Sequence, residues 1–152
     1  MKKQKLIIEQ LDDKISKFIS LKDFIIPPEG WIFSIRTALG MSLRQLATRL
    51  KITAQSVKEI ETREKNGTVS INVLKRVSNA LDMKFIYGFI PKSTTLEKMI
   101  EKRAFELAKE IVLRTSANMK LEDQENTKER IQKSIDEKAE EIKNEMPGYL
   151  WD

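Results

Sequence analysis

The sequence predicts a mainly α-helical protein: a bundle of short helices, helical extensions at both ends, and one short β-strand. Three observations carry that reading. Between residues 31 and 82, four short apolar stripes each follow their own helix-start signal. Longer stripes at helical spacing flank that region on both sides. One segment alone, residues 83–90, is aromatic and β-branched.

Each element has its own signal. Over residues 5–21, Ile8, Leu11, Ile15 and Phe18 recur at the spacing of a coiled-coil seam. Pro27 and Pro28 end that segment, and Glu29-Gly30 leads into the next. A helix then carries Ile32, Ile35 and Leu39 and stops at Gly40. Ser42 caps a helix with Leu46, Ala47 and Leu50 inward, and Thr53 caps another with Val57 and Ile60 inward. Asn66-Gly67 breaks that helix, because both residues accept positive φ. Ser70 opens a fourth, with Ile71, Leu74, Val77 and Leu81 as its stripe. Residues 83–90 follow as the strand, bounded by Pro91. Leu96, Ile100, Leu107 and Ile111 mark a long helix reaching to about Met119. Ile131, Ile135, Ala139 and Ile142 mark a last one, from about Thr127 to Glu145, before Pro147-Gly148 and an apolar tail. The chain divides accordingly into 1–29, 30–82, 83–92 and 93–152.

Composition excludes much chemistry. The 152 residues contain no histidine and no cysteine. Disulfides, thiolate zinc sites, cysteine nucleophiles, histidine bases and histidine metal ligands are thereby removed. No catalytic residue, metal site or cofactor is expected. Adjacent acids such as Glu140-Glu141 point different ways on a helix and read as solvated charge. The missing disulfides favour a reducing, cytoplasmic setting. No apolar run approaches the ~20 residues of a bilayer span, so no membrane role is expected. Glu9, Asp12 and Asp13 interrupt the basic start, which does not read as a signal peptide. The net charge of +5 is unevenly placed. Residues 31–92 hold eleven basic against four acidic side chains, whereas residues 93–152 hold eleven against fourteen. A basic centre beside an acidic end suits nucleic acid at the first and a protein partner at the second.

Residues 42–61, SLRQLATRLKITAQSVKEIE, read as one unit. Two short helices are joined by a turn at Lys51-Ile52-Thr53, and small Ala47 lets the second approach the first. This is the form of a helix-turn-helix, whose second helix enters the major groove. With Val57 and Ile60 buried, periodicity puts Ala54, Gln55, Lys58, Glu59 and Thr62 on the outer face. Gln55 can pair with adenine, Lys58 can donate to guanine, and Ala54 can touch a thymine methyl. Glu59 can accept from cytosine or orient a neighbour. Phosphate positioning falls to Arg44, Arg49, Arg63 and Lys65, and to free N–H groups where helices open at Ser42 and Ser70. Lys75 and Arg76 could join them or serve only solubility.

Residues 30–82 closely resemble the DNA-binding domain of lambda-repressor-like (XRE-type) regulators. The carriers are Arg36, Leu39-Gly40-Met41-Ser42, Leu46-Ala47, Ile52-Thr53, Val57 and Ile60-Glu61. That resemblance implies base reading at Ala54, Gln55, Lys58 and Glu59, and a structural ion pair between Arg36 and Glu61. The sequence departs from the family at Lys51, where glycine is usual in the turn.

The rest of the chain narrows the resemblance. Pro28-Glu29-Gly30-Trp31, Tyr87 with Ile90-Pro91, Leu121-Glu122-Asp123-Gln124 and Leu150-Trp151-Asp152 together resemble mobile mystery protein A. That family consists of helix-turn-helix proteins of mobile elements, encoded beside a Fic-domain protein. It implies an autoregulating, antitoxin-like transcriptional regulator. Double-stranded DNA would be one partner and a Fic-domain protein another. The alternative is a protein-interaction module that neutralises a partner enzyme and binds DNA only weakly.

A lone strand leaves N–H and C=O groups unpaired along both edges. Antiparallel pairing of residues 83–90 with a second copy would satisfy them and give a homodimer on a palindromic operator. Phe85, Tyr87 and Phe89 would line one face of that ribbon, Ile86 and Ile90 the other, with Gly88 allowing close approach. The rivals are pairing with Phe24-Ile25-Ile26 inside one chain, or dimerisation through the terminal helices.

Overall fold

Seven α-helices follow one another in the computed structural model, which describes residues 2–116 and 124–152. They are α1 (Lys2–Ser16), α2 (Trp31–Ala38), α3 (Leu43–Leu50), α4 (Ala54–Asn66), α5 (Ile71–Ala80), α6 (Leu96–Ser116) and α7 (Gln124–Glu145). The chain forms two compact units. One is Ser20–Gly88, and the other joins Met1–Ile19 to Phe89–Asp152.

Ser20–Gly88 contains α2 to α5, and its local starts and stops follow the sequence closely. Ser42 and Gln45 form a full capping box at α3: Ser42 Oγ accepts the Gln45 N–H, and Gln45 Oε1 accepts the Ser42 N–H. Thr53 and Ser70 accept the N–H groups of Ser56 and Val73 to open α4 and α5. Gly67 ends α4 at φ 77°, and Gly40 follows α2 at φ 65°. The apolar faces of the four helices meet in a core of Ile32, Leu46, Ala47, Val57, Val77 and Leu81. Leu46 is wholly buried, and Ala47 leaves room for α4 to pack against α3.

Lys51 holds the helix-turn-helix corner at φ 57°, ψ 43°. The turn thus keeps a left-handed geometry with a side chain that disfavours it, at a cost of about 1–2 kcal/mol. Lys51→Gly should relieve that strain, offset partly by the wider unfolded ensemble of glycine. The expected result is a net gain of up to about 1 kcal/mol in a urea titration. A variant less stable than the parent would refute strain at this corner.

Residues 83–90 depart from expectation. They belong to no helix and to no strand, and among the described residues no strand is assigned. The rival pairing with Phe24-Ile25-Ile26 inside one chain is absent too, and those three residues are exposed. The physical reason is that a strand needs a ladder, and among the described residues no second segment of the same chain completes it.

In the other unit, α6 and α7 pack through Ile100, Ala104 and Ala108 against Ile135 and Ile142, with Leu150 of the tail fully buried beside them. Arg103 fastens that tail by donating to the Leu150 and Asp152 carbonyl oxygens. Helix α1 buries no residue fully. It is tied by Ile8 and by Asp12, whose carboxylate accepts the Leu96 and Glu97 N–H groups at 2.8 and 3.2 Å. Asp12 therefore caps α6 from another helix. Leu11, expected on the inward stripe, is instead 45% exposed, because Ile8, Asp12 and Ile15 occupy the half-buried face. The helix expected to begin near Thr127 begins by Gln124. Leu121, Glu122 and Asp123 lie outside the described residues.

Candidate nucleic-acid interface

Helix α4 is fixed from both ends of its inner face. Val57 sits in the core at 1% exposure. One turn on, Glu61 meets Arg36 of α2 in a bidentate pair, with Nε to Oε2 at 2.9 Å and Nη2 to Oε1 at 2.8 Å. Both residues are buried. The remaining guanidinium nitrogen donates to the Met41 carbonyl, and the Phe33 ring lies 5.5 Å from the guanidinium carbon. The Glu61 hydrogen bond raises the Arg36 pKa above its ordinary value, so the guanidinium stays charged. Glu64 adds a second tie, accepting the Ile32 N–H at 2.8 Å. The Glu64 carboxylate occupies the space a Cβ at Gly30 would need, since such an atom would fall 2.7 Å from Oε1. Gly30 also sits at φ 89°. No sequence signal marks Glu64 as a cap for α2, because the partner lies on a distant helix.

With the inner face so held, Gln55, Lys58, Glu59 and Thr62 are exposed. Asn66 extends the same face at the helix end, and the Thr62 hydroxyl donates to the Lys58 carbonyl. Ala54 differs from its expected placement: it is half-buried and packs against the core. Gln55 and Lys58 are left as the residues of this face best able to donate to base edges.

The expected phosphate cations separate into two groups. Arg44 and Arg63 are exposed and form no ion pair among the described residues. Arg49 instead donates to the Ala80 carbonyl at 3.1 Å, tying α3 to the C-terminal end of α5. Lys65 is exposed but pairs with Glu29 at 3.1 Å. Ser42 and Ser70 use their hydroxyls as caps, so the first N–H groups of α3 and α5 remain as the donors there. Lys75 and Arg76 are exposed on α5.

This geometry has the parts of a groove-reading device: a helix braced on its inner face, polar outside, with cations and helix openings to either side. Among the described residues, no group of three or more acidic, histidine or cysteine side chains is placed to hold a metal ion. No described helix is long and apolar enough to cross a membrane. No curated protein and no solved structure matches the chain. A family model does match, covering residues 32–87, and it is that of the helix-turn-helix domain HTH_3. The match begins at the first turn of α2 and runs past α5, so α2 to α5 of this chain are an XRE-type helix-turn-helix domain.

Proposed function

We propose that the chain is a sequence-specific, DNA-binding transcriptional regulator acting in the cytoplasm as a homodimer on a palindromic operator. The observation that carries the reading is the outer face of α4: Gln55 and Lys58 are exposed on a helix whose inner face is braced by Val57, Glu61 and Glu64. Gln55 reads adenine and Lys58 reads guanine. Arg44, Arg63 and the open ends of α3 and α5 bind phosphates and set the register.

The homodimer is supported by residues 83–90. Ile86, Tyr87 and Phe89 are 61%, 63% and 85% exposed. The Phe85 and Tyr87 rings stack at 5.9 Å, as side chains two apart do on one face of an extended chain. The antitoxin-like role, with a Fic-domain protein as partner, is supported by the motifs outside the helix-turn-helix that resemble mobile mystery protein A.

DNA reading and DNA attraction separate in one experiment. Gln55→Ala should cost about 1–3 kcal/mol on the DNA upstream of the chain's own gene and little on random duplex. Arg44→Ala should weaken binding to both, and lower the slope of log K against log salt by about 1. Equal loss on both DNAs for Gln55→Ala would overturn the base-reading assignment. Failure of the unmodified protein to prefer its own upstream DNA would overturn the regulator itself.

A further inference from the structure

Asn66 and Gly67 end α4 and form the only Asn-Gly pair in the chain. Stopping the helix occupies the backbone of this pair and leaves the Asn66 side chain unused. Its carboxamide is exposed and forms no hydrogen bond among the described residues. Nothing lies within 4 Å of where a Cβ on Gly67 would stand, so the turn is open on that side. Asn66 also shares a cleft with Lys58, Thr62 and Lys65, on the face turned towards DNA in the proposed function.

An asparagine before glycine is the pair in which the following backbone nitrogen most readily reaches the side-chain carbonyl carbon, because glycine puts no Cβ in the way. The other five asparagines each precede a residue with a side chain. In the closed turn the reaction is held back. The Gly67 N–H donates to the Arg63 and Glu64 carbonyls, and a helical backbone at Asn66 does not aim that nitrogen at its own side chain. The nitrogen is released when the last turn opens, and helix ends are where such opening costs least.

Resting on the DNA-reading face described above, we propose that Asn66 is a deamidation site, gated by the C-terminal turn of α4, whose conversion weakens the grip on DNA. The Gly67 nitrogen gives up its proton to water and bonds to Asn66 Cγ, and the side-chain nitrogen leaves as ammonia. Water then opens the five-membered succinimide at either carbonyl, giving aspartate or isoaspartate. One carboxamide and one water become one carboxylate and one ammonium, with no change of oxidation state. The new charge lies at the negative end of the α4 dipole, on a surface that approaches phosphates. The isoaspartate branch also routes the main chain through a side-chain methylene and displaces the Gly67 cap. Neither branch returns to asparagine, so affinity for DNA falls as the chain ages.

The test ages the full chain in isotopically labelled water at mildly alkaline pH, folded in buffer and unfolded in urea, and follows Asn66 by peptide mapping. The folded chain should gain labelled oxygen at Asn66, more slowly than the unfolded chain. Its affinity for the upstream DNA and for a random duplex should fall about 3- to 10-fold as conversion completes. Asn66→Asp should begin at the lowered affinity. Asn66→Gln, whose ring would need six members, should hold its starting affinity over the same period. No conversion in the folded chain while the unfolded chain converts fully overturns the site. Equal rates in the two overturn the gating by the turn. Conversion without loss of affinity, with Asn66→Asp binding as the parent does, overturns the effect on DNA. A fresh parent chain that does not prefer its upstream DNA overturns the DNA-reading face and that effect together, while peptide mapping still reads the conversion itself.

Discussion

Replacing Glu61 with alanine is expected to lower the stability of the Ser20–Gly88 unit by about 3–5 kcal/mol, a large fraction of what a domain of this size possesses. The pair is buried on both sides, with side-chain exposures of 10% for Arg36 and 8% for Glu61. Removing the carboxylate strands a guanidinium whose Nε and Nη2 have no other acceptor among the described residues, while only Nη1 keeps the Met41 carbonyl. The cost is that of an unpaired buried charge and exceeds the net worth of the pair itself. Replacing both residues, as Arg36→Met with Glu61→Leu, should therefore recover most of the loss. Urea titrations followed at the Leu46 and Val57 amides, both buried in this unit, would read the effect without interference from the other unit. A Glu61→Ala midpoint matching the parent would mean that the pair carries no charge-burial cost.

The same pair shows why part of the site was legible from sequence. Arg36 and Glu61 are charges at positions where the apolar periodicity of their helices asks for hydrophobic residues, so each invites a partner inside the bundle. The caps at Ser42, Thr53 and Ser70 were legible for a different reason, since a cap and the N–H it receives lie within three residues. Long-range polar ties carry no such local mark. Asp12 caps α6 across more than eighty residues, and Glu64 of α4 caps α2 across thirty-two. Arg49 has the composition of a phosphate contact, and its tie through Nη1 to the Ala80 carbonyl, thirty-one residues on, has no local mark either. Ala54 is small enough to suit either face at the opening of α4, and packing against the core settles its placement. Residues 83–90 show the opposite limit. Their composition is that of a strand, but strand formation is a property of a pair, and the described residues of the chain do not provide the second member.

That second member is expected to be another copy, and Ile86→Pro should abolish the dimer while leaving each unit folded. Ile86 is 61% exposed and belongs to no helix or ladder, so a proline there disturbs nothing within the chain. In an antiparallel ribbon the same change removes a ladder donor and sets a ring against the partner backbone. Pairing about a two-fold axis would place two recognition helices roughly 34 Å apart, one turn of DNA, so that each half-site adds to the grip of the other. Loss of the axis forfeits that gain, and operator affinity should fall by about 100-fold or more. Ile86→Ala keeps the N–H and should retain the dimer with weaker side-chain packing. Light scattering and operator titrations on the full chain distinguish the cases. If Ile86→Pro remains dimeric and binds as the parent does, dimerisation lies elsewhere, with α1 as the next element to probe. That helix buries no residue fully and leaves Leu6, Ile7 and Leu11 about half exposed.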